Sequence, residues 1–219
     1  MYRWIALILV AAASLAQATP IGYPAIARAL VDTCDGCIFV LGTPFPAADV
    51  GEEVTGWDFY AYDGTVSDGH AIIGQSITPL LYSFDGLNYT ITGIGTTQVI
   101  TSLGYQTYSF GLVSGSDIVG ANTYFGYRDG TPTSGNEGTI ALDYNNGSDD
   151  SGSGPPWMLY FVPTNVSVGQ NLGAPNGNLP RTYSVEADTS DVPEPGTLAS
   201  LGIGALGILI GALRARKNR

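Results

Sequence analysis

From residue 51 to residue 187 apolar and polar positions alternate in short runs. In Tyr89-Thr90-Ile91-Thr92-Gly93-Ile94 and in Thr107-Tyr108-Ser109-Phe110-Gly111-Leu112, large side chains fall on one side and small or polar ones on the other. A period of two is the mark of an antiparallel strand with one buried face. The pattern predicts strands over 54–61, 72–82, 88–94, 97–103, 106–113, 122–127, 138–143, 158–162 and 181–187. Gly, Asn, Asp and Pro separate the runs. Asp63-Gly64, Asp85-Gly86, Asp129-Gly130 and Asn146-Gly147 supply the turn chemistry that hairpins need. Nine short strands without a convincing helix predict an all-β, antiparallel, jelly-roll-like β-sandwich over 51–190. No fixed-period repeat indicates a solenoid or propeller.

The two ends have another pattern. Arg3 precedes an uncharged run from Trp4 to Leu15, and Ala16-Gln17-Ala18 is a small-x-small site. Residues 1–18 therefore read as a signal peptide that signal peptidase removes after Ala18. At the other end Pro195 to Leu213 is free of charge for 19 residues. As a helix it would be roughly 28 Å long, close to the hydrocarbon thickness, so it predicts a transmembrane helix. Arg214, Arg216, Lys217 and Arg219 follow at once, which puts that end in the cytoplasm and the body outside.

Before the span stands Pro193-Glu194-Pro195-Gly196-Thr197-Leu198. A Pro-Glu-Pro triplet, a Gly-rich apolar segment and a basic tail in that order, over about 191–219, resemble the PEP-CTERM sorting signal of Gram-negative bacteria. The resemblance implies transient anchoring in the inner membrane, recognition of Pro193, Glu194 and Pro195 by an exosortase, and cleavage near them. It further implies a cell-surface or extracellular-matrix destination alongside exopolysaccharide and biofilm. The physics agrees: two prolines keep the segment extended and open to a protease.

Charge bears on partners. The whole chain has a formal net charge of -11, and the exported body holds eighteen of the nineteen acidic residues against Arg28, Arg128 and Arg181. Near -15 and without lysine, it repels nucleic acid and anionic membrane surfaces. Divalent cations and neutral glycans are the chemistry left.

Residues 19–50, punctuated by Pro20, Pro24, Pro44 and Pro46, read as a lead-in, with at most a short helix over 26–31. The only cysteines, Cys34 and Cys37, lie here around Asp35-Gly36. An oxidising compartment and a turn between them favour a structural disulfide over a redox pair or half a zinc site. In a peripheral lead-in, its loss should scarcely alter melting.

Catalytic motifs are few. His70 is the one histidine, with no GxSxG around it, and no phosphate loop occurs. Eighteen carboxylates leave a glycosidase pair open without locating one. Asp143, Asn145, Asp149 and Asp150 gather oxygen ligands in a loop suited to calcium, although the spacing is not that of an EF-hand. A solvated turn is the plainer account of that loop, and no cofactor is expected. Among the aromatics Trp57 reads as core, and Trp157, past Pro155-Pro156, reads as an edge ring able to stack on a sugar. The sequence thus predicts a non-catalytic structural or adhesive envelope protein. A carbohydrate-binding module and a polysaccharide-acting enzyme stand as the alternatives.

Overall fold

A computed structural model describes residues 20–28, 30–31, 36–62, 73–130, 140–144, 158–162 and 165–190. In chain order the strands are β1 (Ile21–Gly22), β2 (Leu30–Val31), β3 (Ile38–Leu41), β4 (Glu53–Ala61) and β5 (Ser76–Phe84). Next come β6 (Tyr89–Ile94), β7 (Gln98–Val99), β8 (Gly104–Ser109), β9 (Ser114–Gly115) and β10 (Thr123–Asp129). The last are β11 (Ala141–Tyr144), β12 (Met158–Phe161), β13 (Gly177–Leu179), β14 (Arg181–Tyr183) and β15 (Val185–Ser190). Among the described residues the only helical turn is a 3-10 turn at Ala47–Asp49. All pairings between these strands are antiparallel. The described part of the protein is all-β, as its alternating pattern implies.

Three sheets form. The first has the order β1-β15-β4-β8; the second has β13-β12-β3-β10-β5-β6-β9, with β7 also on β5; the third is β14-β11-β2. The main core joins the first two. Trp57 and Phe59 of β4 and Val185 and Ala187 of β15 cluster with Phe39, Leu81, Phe125 and Tyr127 of the second sheet. Trp57 stacks on Phe59 with ring centroids 4.9 Å apart and reaches Phe125 across the sheets at 6.3 Å. Burying Phe39, Phe59, Leu81, Phe125 or Val185 contributes about 1.5–3 kcal/mol each. Trp57 is core, as expected from its place on an early strand.

The second sheet is apolar on its other face too. Ile38, Val40, Leu80, Tyr82, Ile91 and Phe161 form a separate buried cluster there. Alternation explains the split, since Phe39 and Leu41 point to one side of β3 and Ile38 and Val40 to the other. Gly126 of β10 serves this face: a Cβ there would run into the Phe39 carbonyl and crowd the ring of Tyr82.

The stretch expected to be a lead-in proves otherwise. It supplies β1, β2 and β3, and β3 sits inside the second sheet between β12 and β10. Residues 30 and 31 are strand rather than helix, paired with Leu142 and Ala141. Cys37 is disulfide-bonded and fully buried within the main core, while Cys34 lies outside the described residues. A peripheral position for this bridge is therefore overturned, because Cys37 leads directly into a central strand. Smaller differences concern strand ends. The run expected over 97–103 is strand only at Gln98–Val99, and the one over 106–113 stops at Ser109. Gly111 accounts for the second, since its φ of 56° turns the chain out of extended conformation.

Candidate functional site

Among the described residues the chemistry gathers on the outer face of the first sheet. On β4, Trp57, Phe59 and Ala61 turn into the core, so Gly56, Asp58 and Tyr60 face the other way. Antiparallel register then decides their neighbours. Glu186 of β15 lies directly opposite Asp58, and Asp188 lies opposite Gly56. On the other flank β8 sets Thr107 opposite Asp58 and Tyr105 opposite Tyr60. Gly56 makes room for the Asp188 carboxylate, whose Oδ2 would stand 3.1 Å from an added Cβ.

Three carboxylates thus share one patch of sheet. Directly opposed like charges cost stability, and the surroundings show how the cost is moderated. The Tyr105 hydroxyl donates to Asp58 Oδ2 at 2.5 Å, and the Ala25 N–H reaches Glu186 Oε1 at 3.4 Å. Asp58 is 8% exposed, and no donor among the described residues reaches its buried Oδ1. Burial raises the Glu186 carboxyl above its ordinary range; the Ala25 N–H opposes this, and the charges of Asp58 and Asp188 add to it. Asp188 is raised by burial and then by Asp58. The Tyr105 phenol is raised chiefly by its bond to Asp58. The residue is 56% exposed, so an aromatic side chain open to solvent is tied at its hydroxyl end to a buried carboxylate.

The segment before Arg28 crosses this face. Arg28 Nε donates to Ser184 Oγ at 2.6 Å, and that hydroxyl donates to the Ile26 carbonyl at 2.7 Å. A separate apolar cavity of about 200 Å³ lies between Ile21, Gly22, Tyr23, Leu41 and Thr43. It is smaller than the ~300–1,000 Å³ typical of small-molecule sites. Burial raises the Tyr23 phenol beside it, against a hydrogen bond with Thr43.

This patch is not the one singled out from sequence. Trp157, His70, Asn145, Asp149, Asp150 and the triplet Pro193, Glu194 and Pro195 all lie outside the described residues. Asp143 is described as backbone only, on β11 opposite Thr182. Among the described residues, no group of three or more His, Cys, Asp and Glu side chains is placed to hold a metal ion. Asp58, Glu186 and Asp188 form no motif in the sequence, because 128 residues separate the first two. Their one signal is a charged residue at each polar position of otherwise apolar alternation, Trp57-Asp58-Phe59 and Val185-Glu186-Ala187-Asp188.

The predicted transmembrane span also lies outside the described residues, and among those no helix is long and apolar enough to cross a membrane. No curated protein and no solved structure matches the chain. Residues 191–217 match the model of the PEP-CTERM protein-sorting motif. The chain therefore carries that motif directly behind its last strand, and with it the implication of export, transient membrane anchoring and processing by an exosortase.

Proposed function

We propose that this chain is the precursor of a non-catalytic structural or adhesive protein of the bacterial envelope or exopolysaccharide matrix. A signal peptide over 1–18 takes it across the inner membrane. A transmembrane helix beginning near Pro195 holds it there, and an exosortase then frees it to the cell surface or biofilm matrix. Between these ends the first two sheets stack as a jelly-roll-like sandwich, the unit that persists after processing. The observation that carries the reading is the sorting motif at 191–217, one residue past β15. Replacing Pro193-Glu194-Pro195 with three alanines should keep the protein in the membrane fraction of cells that contain an exosortase. Secreted wild-type protein with its C-terminus intact would end this reading.

The Tyr105 face favours a second reading, a carbohydrate-binding module. An exposed ring fixed by Asp58, with Tyr60 opposite and carboxylate acceptors beside it, offers stacking and hydroxyl-binding groups together. Its charge would admit neutral glycans and repel acidic ones. Affinity electrophoresis in a neutral polysaccharide such as dextran, with alginate as the acidic control, tests it. Tyr105→Ala should abolish any dextran retardation; retardation that survives the substitution removes this face from consideration.

A further inference from the structure

The length of chain between the folded body and the sorting triplet limits what can stand beside the body. β15 ends at Ser190, which pairs with Glu53 of β4. Pro193 follows three residues later. Three fully extended residues span at most about 10 Å. A folded body of some 170 residues has a radius of gyration of about 15 Å, hence a width several times that tether. An enzyme that takes the triplet into its cleft cannot work at a distance from the sheet. The other end of the body leaves by the same side, since Ile21 pairs with Ala187 and Pro20 therefore runs out toward Ser190.

The surface beside that exit has a definite character. Across β4, Glu53 bridges to Ile118, which is 45% exposed. Gly51 N donates to the Val119 carbonyl, which places Val50, 48% exposed, at the same end of the sheet. Apolar side chains of this size beside acidic Glu53 suit a protein surface. Anionic headgroups would be repelled, because Asp117 adds to the negative charge of Glu53 along these strands.

We infer that the end of the first sheet formed by Ser190, Glu53, Ile118 and Val50 is the surface against which the processing enzyme seats. This rests on the exosortase reading above and names the part of the folded body that takes part in it. The sorting motif is then read together with the domain that carries it.

The test is pulse–chase cleavage of the full precursor in cells that contain the exosortase. Ile118→Lys and Val50→Asp should each slow cleavage at least threefold with the native tether. A twelve-residue Gly-Ser insertion between Ser190 and Asp191 should make cleavage indifferent to both. Unchanged melting of the purified variants would show that the fold is intact. Wild-type rates for both substitutions at the native tether would overturn the inference. Faster cleavage of Ile118→Lys would assign the face to anionic lipid instead. Faster cleavage on linker insertion, with slowing when Glu53→Cys and Ser190→Cys are cross-linked, would show that β15 peels open and that nothing seats on the intact sheet. If the wild-type precursor is not cleaved, or the three-alanine variant is cleaved equally well, the exosortase reading fails and not merely this surface.

Discussion

The outer faces of the two large sheets use the same architecture for opposite ends. On the first sheet the positions facing away from the core are Asp58, Tyr60, Tyr105, Thr107, Glu186 and Asp188. On the second they include Ile38, Val40, Leu80, Tyr82, Ile91 and Phe161, all buried, with half-buried Arg128 and Thr78 opposite one another at one end. Register explains both, because in each case a single residue per strand decides what its neighbours present. The first sheet spends stability to keep carboxylates together, whereas the second gains it by burying a further apolar layer. A cluster of carboxylates therefore marks one face and a buried apolar layer the other, and substitutions on the two faces should behave differently.

The largest expected effect lies on the apolar face. Phe161 is buried and packs edge-on against Tyr89 with ring centroids 5.7 Å apart. Phe161→Ala should cost about 3–5 kcal/mol in urea unfolding. A loss below ~1 kcal/mol, the range of ordinary exposed sites, would mean that this cluster is not a second core.

One chemical change made on each face sharpens the contrast. Tyr105→Phe removes the donor to Asp58 and leaves a buried carboxylate without its protein partner. It should cost about 1.5–3 kcal/mol, as for hydrogen bonds to charged groups. Tyr82→Phe removes a hydroxyl that is fully buried and has no partner among the described residues. Burial alone pushes that phenol well above its ordinary range. Its loss should raise stability by about 1 kcal/mol, since an unsatisfied buried group costs that or more. Opposite signs for the same Tyr→Phe change support the division, and equal signs would dissolve it.

Sequence patterning conveyed the two faces unequally. β4 and β6 were legible because Trp57-Asp58-Phe59 and Tyr89-Thr90-Ile91 alternate, and alternation survives wherever one face of a strand is wet. β3 was not, because Ile38-Phe39-Val40-Leu41 is apolar throughout. A short run buried on both faces carries no period, and the prolines around it suggest a lead-in. The Asp85-Gly86 turn was legible in full. Asp85 Oδ1 accepts from the N–H groups of Leu87 and Asn88, and Gly86 has the φ of 99° that glycine tolerates. The carboxylate patch was only half legible. Each strand displayed its acid, but opposition of Asp58 to Glu186 depends on a pairing between distant segments. No local spacing encodes that register.

The smallest effect concerns charge on that patch and carries a sign that pH can check. Glu186 and Asp188 are raised, so in the intermediate window the folded chain holds protons that the unfolded chain has released. Their contribution to stability is therefore greatest in acid and falls as pH rises through the raised values. Asp85 runs the other way. Backbone N–H groups of Asn88 and Leu87 lower its carboxyl, so its contribution is present above the unfolded value and is lost as pH falls through the folded one. Glu186→Gln keeps an acceptor for the Ala25 N–H and removes the like charge opposite Asp58. At pH 7 it should stabilise the protein by about 0.2–1 kcal/mol, the scale of one cross-strand pair. Near pH 4, roughly the ordinary carboxylate range, variant and wild type should converge as Glu186 takes up its proton. Thermal melts across that interval are sufficient. A Gln variant less stable than wild type at pH 7 would mean that Glu186 meets net positive charge on this face, and the comparison between the two faces would have to be redrawn.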